Sequence, residues 1–208
     1  MGTDIHGWVQ VRYSENTGWG TVGPIEDSRN YVLFDILAGG RSGEHGLVKP
    51  FADAQGLPKD YTIDETCQSW CECRDEDFEG HHSIKDWWAE PDGDGHTCSW
   101  WDLRELLADP RWDQSYIASG WITRDRYESW DHAEPPYPYS QMVGGGMVVH
   151  AVLSDAGEIE GPDDWNYIKV QWSEKPSEHC SLFLKWAEYI VERYSYVKSI
   201  RIVFGFDN

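Results

Sequence analysis

In the opening stretch TDIHGWVQVRY, Ile5, Val9, Val11 and Tyr13 alternate with Asp4, His6, Gln10 and Arg12, the period of a half-buried β-strand. Asp4 and His6 therefore fall on one face. TGWG marks a turn towards a short second strand. In SRNYVLFDILAGGRSG, Ser28 or Asn30 can cap a helix whose stripe is Tyr31, Leu33, Phe34, Leu37 and Ala38, and Gly39-Gly40 ends it. Arg29 and Arg41 sit at its two ends, a notable use of cations in a chain with so few.

From about 50 to 98 the periodicity dissolves into Gly, Pro, Asp, Glu, Cys and His, which predicts a long irregular insert. Order returns at CSWWDLRELLADP, where Ser99 predicts the N-cap of a helix through Leu103, Leu106 and Leu107, stopped before Pro110. The stretch 111–147 is aromatic and turn-rich, with EPPYPY extended and GGG a flexible turn. MVVHAVLSDAGE predicts a strand and then a turn. EHCSLFLKWAEYIVERYSYV carries Leu182, Phe183, Trp186, Tyr189, Ile190 and Tyr194 at helical spacing, and SIRIVFGFDN is a strand with Ile200, Ile202, Phe204 and Phe206 on one face. The order β, α, insert, α, β, α, β predicts the α+β class. The expected layout is one domain over residues 1–208, with a mixed or antiparallel sheet packed on two or three helices and a Cys/His/Trp-rich insert.

Composition narrows what such a domain can do. No run of about 18 apolar residues predicts a membrane span, and the N-terminal residues lack the pattern of a signal peptide. His6 stands where a myristoylation motif asks for Ser or Thr. A cytoplasmic protein is expected, whose five cysteines are reduced thiols or metal ligands. The formal charge of −20, from 37 acidic against 17 basic residues, disfavours duplex nucleic acid as a partner. It leaves two explanations open: solubility, or mimicry of nucleic acid that captures a basic protein. Thirteen Trp supply core packing and, for some of them, stacking walls for a flat ligand such as a nucleobase.

Three groups of residues carry candidate chemistry. An imidazole can move a proton or ligate a metal and a neighbouring carboxylate can orient it, so Asp4 and His6 are one candidate, against a strand start that simply meets water. The second joins Arg29, His96, Ser99 and Asp207. With Ser99 as a cap, His96 lies three residues before a helix N-terminus, where free N–H groups attract anions. If the outer strands share a sheet, Asp207 approaches Asp4 or His6. His6 and His96 then divide acid and base work on a phosphodiester, or Asp4, His6 and Asp207 hold a divalent ion such as Zn or Mn. The third is the insert, where Cys67, Cys71, Cys73 and His81 are candidate ligands of a structural zinc, against a loop of free thiols packed on its Trp residues. The acidic run RDEDFE reads as a solvated face, lacking the register of a calcium loop.

MGTDIH, RNYVLF and the closing RIVFGFDN, together with His96, Ser99 and Trp100, resemble a bacteriophage-encoded family of small proteins that open M-G-x-D-I-H and close on F-D-N. The resemblance implies a phage origin and a shared site, with no reaction attached, and the insert at about 59–95 has no counterpart in it. TDIHG and GDGHTCS also echo the D-x-H and G-H-x-H of calcineurin-like metallophosphoesterases. That fold, however, needs an apolar strand before D-x-H, and Met1-Gly2-Thr3 cannot supply one; its G-D and G-N-H-D ligands are missing as well.

Two functions are therefore expected as alternatives. One is a small hydrolase of a nucleotide or cyclic-nucleotide phosphodiester, possessing Asp4, His6, His96 and Ser99 as reactive groups and Arg29, Asn30, Tyr31, Arg41 and Trp100 as the binding set. It would counter a host defence signal. The other is a protein without turnover that sequesters such a signal or blocks a basic host enzyme by acidic mimicry. Either could self-associate as a homo-oligomer.

Overall fold

The computed structural model describes residues 4–25, 30–39, 49–61, 96–132, 134–140 and 148–207 (for Asp4, His96 and Asp207, the backbone). The expected α+β class is borne out, with the strands divided between two four-stranded sheets. The chain forms two compact units, Met1–Trp112 with Cys180–Asn208, and Asp113–His179.

In the first unit, strand β8 (Ser199–Asp207) lies between β1 (Asp4–Arg12) and β3 (His96–Asp102), and β2 (Gly20–Pro24) pairs with the far side of β1. All of these pairings are antiparallel. Ile200, Ile202, Phe204 and Phe206 are fully buried along one face of β8, and each such side chain contributes about 1.5–3 kcal/mol. Helix α1 (Tyr31–Ala38) packs there, with Phe34 5.1 Å from Phe206 between ring centres. The Asn30 side chain accepts from Leu33 N–H at 3.1 Å, and Gly39 closes the helix at φ 67°, a conformation glycine adopts without a Cβ penalty. Helix α1 is apolar on nearly every side and buried from Val32 to Ala38, so it behaves as a core element rather than a surface helix.

Ser99 does not cap a helix. Residues 96–102 form β3, and the helix that follows, α2 (Leu103–Leu107), is capped by Asp102, whose carboxylate accepts from the N–H groups of Arg104 and Glu105. Pairing with β8 decides this, because Trp100 and Trp101 fall opposite Val203 and Ile202. The insert accordingly ends before His96.

The second unit holds β4 (Tyr116–Thr123), α3 (Arg124–Ser129), β5 (His150–Leu153), β6 (Ile159–Glu160), β7 (Tyr167–Glu174) and α4 (Pro176–His179). Its sheet runs β4-β7-β5-β6, with β5 and β7 parallel. Ala118, Ile122, Ala151, Ile168, Val170 and Trp172 form its core with Trp130. The turn-rich reading of 111–147 thus gives way to a strand and a helix at 116–129, and β7 is an element that reading did not contain. Helix α5 (Ser181–Arg193) returns to the first unit, close to where its spacing predicted it.

Candidate functional site

The β1–β8 register sets Asp4 opposite Asp207 and His6 opposite Gly205. On the other side of β8, His96 pairs with Phe206, one position from Asp207. Three neighbouring strands therefore bring Asp4, His6, His96 and Asp207 to one end of one sheet, but the pairing puts only Asp4, His6 and Asp207 on a common face, while His96, opposite Phe206, falls on the face against which α1 packs. His6 is half-buried, and Gly205 offers it no side chain across the ladder.

Next to His96 the ladder is irregular. The register shifts between His96 and Ser99, and Thr97 sits at φ 52°. A β-branched residue in the left-handed region is strained, and such strain gathers at bulges beside functional sites. Ser99 lies just past this break, buried, with its Oγ accepting from Gln55 N–H at 3.2 Å. Trp100 is half-buried, and its carbonyl accepts from Gln55 Nε2. The Cys98 thiol is pushed up to about 11 by burial, so it is a thiol rather than a thiolate at neutral pH.

Asn30 and Tyr31 belong to the same end of the sheet but to its other face, the one that carries Phe206. The Tyr31 ring lies 5.8 Å from Phe34, which itself lies against Phe206. Asn30 is engaged as the helix cap, and its Nδ2 is 3.9 Å from Cys180 Sγ. Arg29, Arg41, Cys67, Cys71, Cys73 and His81 lie outside the described residues.

Two polar clusters went unrecognised in the sequence. In the first unit, Arg201 is buried and donates to Gln10 Oε1 at 2.9 Å and to Asp60 Oδ1 at 2.6 Å, with its guanidinium carbon 3.9 Å from the centre of the Trp19 ring. Burial pulls its pKa down against the pull of Asp60, while the Arg201 hydrogen bond holds the Asp60 carboxyl below the usual range. In the second unit, the buried Glu174 carboxylate accepts from Tyr116 Oη and from Trp172 Nε1 at 2.8 Å. His179 Nδ1 stands 3.2 Å from Glu174 Oε1, an ion-pair distance without the alignment of a directed hydrogen bond. The signal for this cluster was present in YIKVQWSE, where Ile168, Val170 and Trp172 alternate inward and the next inward position is Glu174.

Among the described residues no three His, Cys, Asp or Glu side chains stand together as a metal site, and no helix is long and apolar enough to cross a membrane. No protein-family profile, curated protein or solved structure matches the chain.

Proposed function

We propose that the end of the first sheet is the reactive part of a small-ligand site, and that the protein hydrolyses a nucleotide or cyclic-nucleotide phosphodiester. The observation that carries this reading is the register that opposes Asp4 and Asp207 beside His6, next to the strained bulge at Thr97. Two carboxylates and an imidazole are the donor types that hold a divalent cation such as Mn or Zn, which would supply charge for the phosphoryl oxygens. His6 would move the protons, while His96, two strands away and opposite Phe206, falls on the other face of the sheet. An anion approaching a molecule of charge −20 needs a local cation, the role given to Arg29 beside the cap of α1, with Arg41 in reserve. Asn30, Tyr31 and Trp100 would complete the binding set. The resemblance to phage-borne proteins fits an enzyme acting in a host cytoplasm against a nucleotide signal.

The net charge favours a second reading, in which the same site retains a nucleotide without turnover or the acidic surface occupies a basic host enzyme. Incubation with a panel of nucleotides and cyclic dinucleotides, with and without Mn²⁺ or Zn²⁺, separates them. Turnover that His6→Ala abolishes while the ligand still binds supports the hydrolase. Retention without turnover in both forms supports sequestration. Indifference to every nucleotide leaves acidic mimicry as the better account.

A further inference from the structure

A groove of about 240 Å³ runs between α5 and the β1–β2 pair. Trp186, Tyr189, Arg193 and Tyr194 line its helical side, and Val9 and Pro24 lie on the strand side. The helix turns two faces to two tasks. Phe183 and Ala187 are buried in the core, whereas Trp186, Tyr189 and Arg193 follow one another at spacings of three and four along the stripe facing the groove.

Arg193 is the unusual member. It donates to Tyr189 Oη at 2.8 Å, and its guanidinium carbon is 6.0 Å from the Tyr189 ring centre and 5.9 Å from that of Tyr194. No carboxylate among the described residues pairs with it, in a chain with 37 acidic residues. A cation in the last turn suits the helix dipole, which accounts for its sign but not for its aromatic surroundings. A guanidinium carries five N–H donors, and its partners here are the hydroxyls of Tyr189 and Tyr194, which leaves donors for an anion.

We infer that this groove binds a small organic anion with a flat aromatic body, the ring lying against Trp186 and Tyr194 and the anionic group on Arg193. Charge complementarity selects the occupant. The general field of the protein repels anions, so an arginine flanked by aromatic rings, with no carboxylate partner among the described residues, is a local attractor that tolerates a planar body. The site is distinct from the strand end proposed above, since Val9 lies five residues along β1 from Asp4, roughly 16 Å at about 3.3 Å per residue.

The test uses the full chain and naphthalene sulfonate, a planar aromatic anion with no ester to hydrolyse, titrated by calorimetry beside neutral naphthyl methanol and inorganic sulfate. The sulfonate should bind more tightly than either control. Arg193→Gln should weaken it at least tenfold with the melting temperature unchanged, Tyr194→Leu should weaken the sulfonate and the neutral aromatic alike, and His6→Ala should leave binding intact. This last arm separates failure here from failure of the strand-end reading. Absence of sulfonate binding, binding indifferent to Arg193→Gln, or a wild-type dimer that Arg193→Gln dissociates in sedimentation would each overturn the assignment, the last by making the groove a contact between copies.

Discussion

Asp4 and Asp207 stand at directly opposed positions of the β1–β8 ladder. Like charges at opposed positions of an antiparallel pair destabilise it, by a few tenths to about 1 kcal/mol. A divalent cation held there would reverse the sign. Asp207→Asn should therefore raise the melting temperature in metal-free buffer, and Mn²⁺ should raise that of the wild type more than that of the variant. A variant no more stable than the wild type, with an equal response to Mn²⁺, removes the cation from the proposed site.

The eight residues RIVFGFDN make up most of β8, which pairs with β1 and β3 and carries three of the four fully buried side chains of its inner face. Each is worth about 1.5–3 kcal/mol, against a net stability of roughly 5–15 kcal/mol for a whole domain. Deleting 201–208 should abolish the cooperative thermal transition of the first unit. A sharp transition retained in circular dichroism would contradict the central role of this strand.

What could be read in advance was what a single period carries. The alternation in β8, the spacing in α5 and the Asn30 and Gly39 ends of α1 each depend on residues close in sequence, and so does the common face of Asp4 and His6. Ser99 was read as the cap, whereas Asp102 is, because residues 96–102 pair as a strand with residues about a hundred positions away, which no local signal contains. The Arg201–Asp60 bond spans 141 positions, and nothing in RIVF marks its arginine as buried. Strand β4 was hidden among Pro, Gly and aromatic residues that read as turns, although Ala118, Gly120 and Ile122 alternate with outward positions once β7 is beside them.

Gly7 is the one position in β1 where the neighbouring strand forbids a side chain. A Cβ there would lie 2.5 Å from the Val203 carbonyl oxygen and 2.7 Å from Phe204 Cβ, with Ile25 Cδ1 at 2.6 Å. Backbone and β-carbon cannot swing aside as the end of a long side chain can. Gly7→Ala should cost about 1–3 kcal/mol or more in urea unfolding. A loss within experimental error would mean that β1 sits farther from β8 than the structure has it.

The zinc expected in the insert has a direct measurement. Elemental analysis of untagged protein should give close to one zinc per chain if Cys67, Cys71, Cys73 and His81 form a site, and chelation should lower the melting temperature, because ligand binding stabilises only the folded state. Metal-free protein with all of these thiols reactive would leave the loop as an ordinary one.

Glu174 gives the sharpest pH dependence. Burial pushes its carboxyl up, and the contacts with His179, Tyr116 and Trp172 more than offset this, so its pKa lies below the ordinary value of 4.5. A carboxyl whose folded pKa is depressed contributes stability that is present above the unfolded value and is lost as pH falls through the folded one. Glu174 thus stabilises the second unit at neutral pH, and this contribution is lost progressively as pH falls from about 4.5 through the lower folded pKa. Glu174→Gln removes the charge but keeps the shape, so at pH 7 it should cost roughly 1.5–3 kcal/mol, the worth of hydrogen bonds to a charged group. As pH falls below 4.5 the gap should narrow, because protonation, first in the unfolded chain and then in the folded one, removes what the charge contributes. Hydrogen exchange of the β4 and β7 amides reads this unit directly. A gap that stays constant from pH 7 to pH 3 would show that the carboxylate charge contributes nothing to holding Tyr116, Trp172 and His179 together.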